Sequence, residues 1–158
     1  MIYMDSCVLL KRYVREQGSG STEALFQSGE KIFTSILSYA EVHAVLARKT
    51  RAKEMRRYDF VRARKSFDGE WILSSDIVEL TAVTMSGLRE LVRRNTLKGS
   101  DAVHLAAALW LRDMSSLKGA GFAPQRELVF ATSDRELAVA ARKNHLQVFN
   151  PEISNGTS

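Results

Sequence analysis

Short apolar segments alternate along this chain with longer segments of helical periodicity. The apolar segments are 2–4, 31–34, 128–131 and 147–149. Alternation of strand and helix signals is typical of a parallel sheet with helices on both faces. At 158 residues the chain has the size of one domain with one core. We therefore predict an α/β fold, a three-layer α/β/α sandwich around a central, mainly parallel sheet.

Apolar periodicity and turn signals also predict the helices. The Gly18 to Ser21 segment should break the chain, and Asp76-x-x-Glu79 resembles a capping box that opens a helix. Residues 71–73 suggest a short strand or an extended connector, and Gly119 and Pro124 suggest a loop over 115–126. The predicted helices span 6–15, 22–28, 35–48, 52–67, 76–94, 100–111 and 133–143.

Composition narrows the class of protein. Hydrophobic residues make up 45% and charged residues 26% of the chain, as in soluble globular proteins. The single cysteine, Cys7, excludes an intramolecular disulfide, and no Cys/His spacing matches a zinc site. We find neither a basic leader nor an apolar run of the ~18 residues that a membrane span needs. We expect a cytoplasmic domain over 1–151 and a disordered tail over 152–158.

Basic residues are concentrated between Arg48 and Lys65. This stretch holds nine basic residues against two acids, within a chain of formal net charge +5. Such a patch attracts phosphates by neutralising charge and releasing counterions, although a solvated helical face has the same pattern. The candidate contacts to a nucleic-acid backbone are Arg51, Lys53, Arg56 and Arg57.

Four acids stand where apolar segments would bring their carboxylates into one cleft. Asp5 ends the first strand, Asp134 follows the strand over 128–131, Asp101 opens an Ala/Leu-rich helix, and Glu41 interrupts the apolar stripe of another helix. Ligands of parallel sheets gather beyond the carboxyl ends of the strands. Clustered carboxylates repel one another without a cation, and hard oxygen ligands suit Mg²⁺ or Mn²⁺.

Helix capping is the competing explanation for the aspartates. Against it, Ser133 opens an S-x-x-E capping box and Ser100 can cap its own helix. We therefore expect that Asp134 and Asp101 are not needed as caps and can have another role.

Glu41 has no capping explanation, because it lies in the middle of a helix. A carboxylate on an apolar stripe is costly unless a cation or a donor compensates it. The alternatives to a metal are a partner arginine and a position at a partly exposed edge of the stripe. The three histidines, His43, His104 and His145, are scattered, and we interpret them as surface or core residues.

Four segments together resemble a known family. Residues 1–9, 38–42, 99–108 and 131–137 resemble, in order and spacing, the PIN domain. The nearest likeness is to VapC-type toxin ribonucleases of toxin–antitoxin pairs. The resemblance covers the chain from Ile2 to about Pro151 and implies a PIN-like α/β/α sandwich with four acids that bind one or two divalent cations.

The resemblance also implies an activity. It implies a Mg²⁺-dependent or Mn²⁺-dependent endoribonuclease that leaves 5′-phosphate and 3′-hydroxyl ends, with RNA as its substrate, a VapB-like antitoxin as its partner and a homodimer as its assembly. Four positions match the family's catalytic and metal-binding acids, and two match supporting hydroxyl residues. These positions are Asp5, Glu41, Asp101 and Asp134, with Ser6 and Thr132.

Other functions remain open at this stage. A non-catalytic PIN-like module that binds nucleic acid or a protein partner would share the fold. A receiver domain also clusters acids around Mg²⁺, but its adjacent acid pair and late strand-end lysine are not evident, and a DNA-directed nuclease is a further alternative. The basic stretch would also suit an acidic antitoxin tail. Neither the RNA that is cut nor the number of metal ions follows from the sequence.

Overall fold

A computed structural model describes residues 1–73, 76–116 and 127–153. Within these ranges it contains one sheet of five strands in the order β3-β2-β1-β4-β5, and every neighbouring pair is parallel. The predicted α/β class and parallel sheet are confirmed. The strands are β1 (Ile2–Met4), β2 (Ile32–Ser35), β3 (Ile77–Val78), β4 (Val129–Ala131) and β5 (Gln147–Phe149).

Helices connect successive strands and cover both faces of the sheet. Residues of α1, α3 and α4 form one apolar cluster, whereas residues of α5, α6 and α7 pack on the opposite face. The helices of the described residues are α1 (Ser6–Leu10), α2 (Ser19–Gln27), α3 (Leu37–Arg51), α4 (Arg57–Leu73), α5 (Leu88–Arg94), α6 (Gly99–Ser116) and α7 (Arg135–Lys143).

The first strand shows why the fold has three layers. Ile2 and Met4 pack with Val8 of α1 on one face. Tyr3 points to the other face, where its ring stacks on Phe130 with centroids 5.4 Å apart. Successive side chains of a strand point to opposite faces, and both faces are apolar here because both are covered by helices.

The strand order reverses between β1 and β4. The chain adds β2 and β3 on one side of β1 and later returns to add β4 and β5 on the other. Met4 and Ala131 are partners in register, and the Asp5 N–H donates to the Ala131 carbonyl at 3.1 Å. Parallel sheets bind ligands at such a switch point, beyond the carboxyl ends of the strands. Asp5 and Thr132 therefore flank the expected site.

Two predicted helix boundaries near the N-terminus are wrong. The first helix ends at Leu10 rather than residue 15, and α2 begins at Ser19, so that Gly20 lies inside a helix that should have begun at Thr22. Between α1 and α2, the one residue with a positive φ is Gly18, at +85°. A single residue in the left-handed region is enough to break the chain.

The predicted basic helix over 52–67 is also misplaced. Residues 52–56 form a turn after α3, with Lys53 at φ of 59°, and α4 runs from Arg57 to Leu73. Trp71 therefore belongs to a helix rather than to a strand or connector. Its ring lies 5.4 Å from that of Phe67, one helical turn earlier, and both pack against Tyr39 of α3.

The helix predicted over 76–94 is replaced by a strand, turns and a short helix. Thr34 N–H donates to the Asp76 carbonyl at 3.2 Å, and Ile36 N–H donates to the Val78 carbonyl at 3.1 Å. This pairing with β2 makes Ile77–Val78 an edge strand, so Asp76 does not cap a helix. Only Leu88–Arg94 is helical in this segment.

The C-terminal part of the described chain is held to α1. Lys11, whose side chain is 3% exposed, contacts the carboxylates of Glu152 at 2.7 Å and Glu16 at 3.0 Å.

Ser115 and Ser116 belong to α6 rather than to the predicted loop. The rest of that loop, 117–126, and tail residues 154–158 lie outside the described residues. Among the described helices, none has the length and apolar character to cross a membrane.

Candidate active site

Asp5 is buried directly after β1 and uses both carboxylate oxygens. It is the N-cap of α1, where Oδ1 accepts from the Val8 N–H at 3.1 Å. The Thr132 hydroxyl donates to Oδ2 at 2.5 Å. Only 4% of the residue's surface is exposed. The cap and the hydroxyl contact fix the orientation of this carboxylate at the end of the strand.

Asp134 has the corresponding place after β4. It is the N-cap of α7, and its Oδ1 accepts from the Leu137 N–H at 2.8 Å. The prediction that Ser133 would cap this helix and release Asp134 is therefore wrong. The Asp134 N–H donates to the Thr132 Oγ1 at 3.0 Å. Thr132 thus joins the two strand-end aspartates, with its hydroxyl on Asp5 and its oxygen on the backbone of Asp134.

Asp101 lies in the first turn of α6. The helix already begins at Gly99, so Ser100 lies within it and is not the predicted cap. Burial raises the pKa of Asp101, and the Asp134 carboxylate, and more weakly that of Asp5, raise it further. Repulsion between like charges falls off with distance. Asp134 and, more weakly, Asp5 therefore lie within electrostatic range of Asp101.

Glu41 projects from α3 and is held by a histidine. Its Oε2 lies 2.7 Å from Nε2 of His104 on α6. The other ring nitrogen, Nδ1, lies 3.0 Å from the Tyr3 hydroxyl on β1. The predicted alternatives to a cation are an arginine and a partly exposed edge of the stripe. The partner is His104 rather than an arginine, and the Glu41 side chain is indeed partly exposed, at 24%. The interpretation of this histidine as an ordinary core residue overlooked that contact.

Hydroxyl groups complete the surroundings of Glu41. Burial by itself raises its pKa, but hydrogen bonding and charge from His104, with smaller contributions from Ser6 and Ser100, lower the pKa below its ordinary value. Glu41 is therefore held as a carboxylate. Ser6 lies on the Glu41 side of the site and Thr132 lies on the Asp5 side.

The sequence contains one signal for His104 that composition alone does not reveal. The residue lies on the buried side of α6 among Ala102, Leu105 and Ala106, and is 2% exposed. A buried polar side chain is nearly always hydrogen-bonded. A histidine among alanines and leucines, one turn beyond Asp101, therefore indicates a polar partner, although it does not say which one.

The donor set fits a hard cation by its chemistry. Four carboxylates face or adjoin one site, and each ionised oxygen offers two lone pairs, so a cap or hydroxyl contact leaves acceptor capacity. Like-charge repulsion at Asp101 is the electrostatic condition that a cation relieves. Within the described ranges, however, no three His, Cys, Asp or Glu side chains are close enough to hold a metal ion as they stand.

The predicted phosphate contacts lie elsewhere on α3 and α4. Arg51 ends α3, Lys53 and Arg56 lie in the following turn, and Arg57 opens α4, all four exposed. Ten residues separate Glu41 from Arg51, which places them about 15 Å apart along the helix. The structure therefore does not bring these four residues into the acidic site.

Fold and site together define a class: a three-layer α/β protein with an acidic site at the topological switch point of its parallel sheet. A model of the PIN domain matches residues 2–143. The chain belongs to the PIN-domain family.

Two curated proteins of Mycobacterium tuberculosis are similar to the chain in sequence. Ribonuclease VapC45 and Ribonuclease VapC49, each from a different strain, are 33% identical to it over 113 residues. The matched region covers 72% of this chain and 78% of each relative.

Solved structures share the fold at low sequence identity. FitAcB from Neisseria gonorrhoeae has a TM-score of 0.61 at 16% identity, with 96% of this chain and 98% of that chain covered. FitAB bound to an IR36 DNA fragment has a TM-score of 0.65 at 16% identity, with both chains covered fully. VapBC2 from Rickettsia felis, bound to a promoter DNA fragment, has a TM-score of 0.59 at 12% identity, with 95% and 98% covered.

Proposed function

We propose that this protein is a metal-dependent endoribonuclease and the toxin of a toxin–antitoxin pair. Ribonuclease activity follows from its PIN family and from relatives named as VapC ribonucleases. The single observation that carries the assignment to a site is the link between Asp5 and Asp134 at the ends of the paired strands β1 and β4: the Thr132 hydroxyl donates to Asp5, and its oxygen accepts from the Asp134 N–H. The neighbouring carboxylates, together with burial, raise the pKa of Asp101, which supports its place in the same group.

Asp5, Asp101 and Asp134 would hold a divalent cation, with Glu41 at its edge. Carboxylates are the ligands that Mg²⁺ prefers, and Mn²⁺ accepts the same set. When bound, such a cation lowers the pKa of a water molecule and neutralises charge on a scissile phosphate. Asp5 and Asp134 are suited to this task because capping fixes both carboxylates on rigid helix ends.

Glu41 is the residue best suited to orient the attacking water. It is ionised, it is held by His104, and it faces the site from a different helix than the aspartates. A carboxylate in this state accepts a hydrogen bond from water and directs one water lone pair away from itself. Attack of this water on phosphorus would form a new P–O bond and break the P–O3′ bond. The 3′ oxygen would leave and take up a proton, which gives a 3′-hydroxyl, and the phosphate would stay on the 5′ oxygen.

The test is cleavage of RNA by purified protein with Mg²⁺, with the new ends identified by their response to phosphatase and ligase. Asp5→Asn and Asp101→Asn should each lower the cleavage rate at least ~100-fold, because each removes a charge from the site. Excess EDTA should abolish cleavage and Mn²⁺ should restore it. Full activity in EDTA, or in both variants, would support a non-catalytic PIN-like binding module instead.

The partners are part of the same proposal. The solved neighbours are named as complexes of FitAB and VapBC2 with DNA, which supports a VapB-like antitoxin for this chain. We propose a homodimer as the assembly that the PIN family implies. Co-expression with the product of the adjacent small reading frame should yield a stable complex on size-exclusion chromatography and should suppress cleavage. A protein that remains a free monomer beside that product would contradict both assignments.

A further inference from the structure

His104 forms the centre of a buried chain of three side chains. Its Nδ1 meets the Tyr3 hydroxyl at 3.0 Å, and its Nε2 meets the Glu41 carboxylate at 2.7 Å. The histidine is 2% exposed and Tyr3 is fully buried. The three residues belong to α6, β1 and α3, so the chain runs from the centre of the sheet to the edge of the acidic site.

The Glu41 carboxylate sets the direction of these hydrogen bonds, because the oxygens of an ionised carboxylate only accept. Nε2 of His104 therefore carries a proton and donates it to Glu41 Oε2 at 2.7 Å. A neutral imidazole has one acceptor nitrogen and one N–H. In that ring Nδ1 is the acceptor, and the Tyr3 hydroxyl donates to it at 3.0 Å. The chain therefore selects the tautomer that presents N–H to the carboxylate.

We propose that His104 is a positioning residue, which orients the Glu41 carboxylate toward the Asp5–Asp101–Asp134 cluster and is itself anchored by Tyr3. The inference rests on the proposed function, since it assigns Glu41 to a metal-dependent site. Hydrogen-bond partners of metal-site ligands typically change metal affinity or activity by 10–100-fold when they are removed. Neither ring nitrogen of His104 contacts the substrate in this role.

The geometry supports positioning because Glu41 is otherwise weakly constrained. It lies in the second turn of α3, and its side chain is 24% exposed, so its rotamers face water on one side. Without His104, the Ser6 and Ser100 hydroxyls would be the described contacts left to the carboxylate. The carboxylate would turn toward solvent more readily, and fixing it would cost conformational entropy each time a ligand binds.

The sharpest test uses two amide substitutions of different length. In His104→Gln the amide reaches the position of Nε2 and can still donate to Glu41. In His104→Asn the amide lies near the position of Nδ1, can still bond to Tyr3, and falls short of Glu41. Both variants keep a buried polar group, so loss of polarity does not distinguish them. His104→Leu removes both contacts and Tyr3→Phe removes the anchor alone.

His43 offers a matched control on α3. Its Nε2 lies 2.9 Å from Oδ1 of Asp68 outside the acidic cluster, at a similar distance but without the geometry of a hydrogen bond. His43→Asn should leave metal binding and catalysis unchanged.

Three measurements apply to each full-length variant: Mn²⁺ affinity from the electron paramagnetic resonance signal of free Mn²⁺, kcat and KM for RNA cleavage, and thermal unfolding without metal. We expect His104→Asn and His104→Leu to weaken Mn²⁺ binding about 10–100-fold and to lower kcat with KM nearly unchanged. His104→Gln should stay within about threefold of the unsubstituted protein, and Tyr3→Phe should fall between. The Asn-against-Gln difference in Mn²⁺ affinity is the readout that a merely structural role would not move.

Several results would overturn the inference. Folded His104→Asn with unchanged Mn²⁺ affinity and kcat would overturn it, as would equal losses in His104→Asn and His104→Gln. If His104→Leu fails to fold, the two amide variants still decide. Failure of the proposed function has a different signature, because the unsubstituted protein would then neither bind Mn²⁺ nor cleave RNA.

Discussion

Asp5 and Asp134 each act as a helix cap and as a member of the acidic site. Sequence reasoning treated these roles as alternatives and used Ser133 to remove the cap from Asp134, which the structure contradicts. The two roles are compatible because one N–H occupies a single lone pair of a carboxylate that has about four acceptor positions. Capping also favours the ionised form at the helix N-terminus. A cap is therefore a means of orienting a site carboxylate.

Asp101→Asn should stabilise the metal-free protein at neutral pH. The folded-state pKa of Asp101 is raised by burial and by the carboxylates of Asp134 and Asp5. Its ionisation therefore costs stability above the folded-state pKa, and the cost disappears as the pH falls below the ordinary aspartate range. Because the carboxyl is partly exposed, screening limits the gain to about 1 kcal/mol or less, or about 2–4 °C in Tm. Thermal unfolding in EDTA at pH 7 and at pH 4 measures the difference, and a gain that persists unchanged at low pH would contradict this explanation.

The α3–α4 hairpin presents its basic residues as a tip rather than as a continuous helical face. Arg51, Lys53, Arg56 and Arg57 surround the turn, whereas Arg62 and Arg64 lie further along α4, 3.8 Å and 3.9 Å from Asp59 and Asp68. The positive charges at the tip are therefore less neutralised by nearby carboxylates than those of Arg62 and Arg64.

Replacing two tip arginines should weaken RNA binding in a salt-dependent manner. If Arg56 and Arg57 each neutralise one phosphate, Arg56→Ala with Arg57→Ala should reduce the slope of log affinity against log salt by about 1.4 for single-stranded RNA. The matched control is Arg142→Ala with Lys143→Ala, an adjacent exposed basic pair at the end of α7. Titrations in catalytically inactive Asp5→Asn protein at several salt concentrations give both slopes. Equal slopes for the two double variants would assign the tip to another role.

The entry into α2 depends on a glycine that touches the C-terminal segment. A Cβ at Gly18 would lie 2.9 Å from the carbonyl carbon and oxygen of Pro151, and its φ is +85°. We expect Gly18→Ala to destabilise the protein by about 1–3 kcal/mol, because neither the backbone of Pro151 nor the left-handed turn can yield cheaply. Gly20→Ala is the control, since nothing lies within 4 Å of its Cβ position and alanine favours the helix. Urea unfolding measures the free energy of unfolding of both variants. Equal values would show that the backbone of Pro151 moves to accommodate the added Cβ.

At the scale of the whole molecule, the order of strands in the sheet determines which strand ends lie side by side. The β1–β4 pairing brings Asp5 beside Thr132, 127 residues away in the chain. Helix α6 crosses the same edge and delivers Asp101 and His104, while α3 delivers Glu41 from the opposite layer. The site is therefore stable only when both helical layers are packed on the sheet.

Cation binding should accordingly raise the stability of the entire domain. A ligand at 100 times its Kd adds about 2.7 kcal/mol to the folded state, which corresponds to roughly 5–10 °C in Tm for a domain of this size. Thermal scans with increasing Mg²⁺ or Mn²⁺ should show this rise in the unsubstituted protein and little of it in Asp101→Asn. A similar rise in both would indicate binding away from the acidic site.

The strands and helices that can be located from the sequence are those with a strong local pattern. The strands at 2–4, 128–131 and 147–149 were located to within one residue because they are apolar and bounded by turn residues or acids. Strand β3 has only two residues, which is too short for any periodicity, and it exists through backbone pairing with Thr34 and Ile36. The helix boundary at Arg57 was missed because charge, rather than apolar spacing, dominates 48–65.

The sequence by itself determined the parallel α/β class and the four acids, because strand–helix alternation and the position of an acid after a strand are local patterns. Only the tertiary structure decided that Asp5 and Asp134 remain caps, that Thr132 joins them, and that His104 holds Glu41. The reason is physical: the Tyr3–His104 and His104–Glu41 contacts span 101 and 63 residues of chain. Partners so distant are set by the packing of two helical layers on one sheet, and no local spacing encodes them.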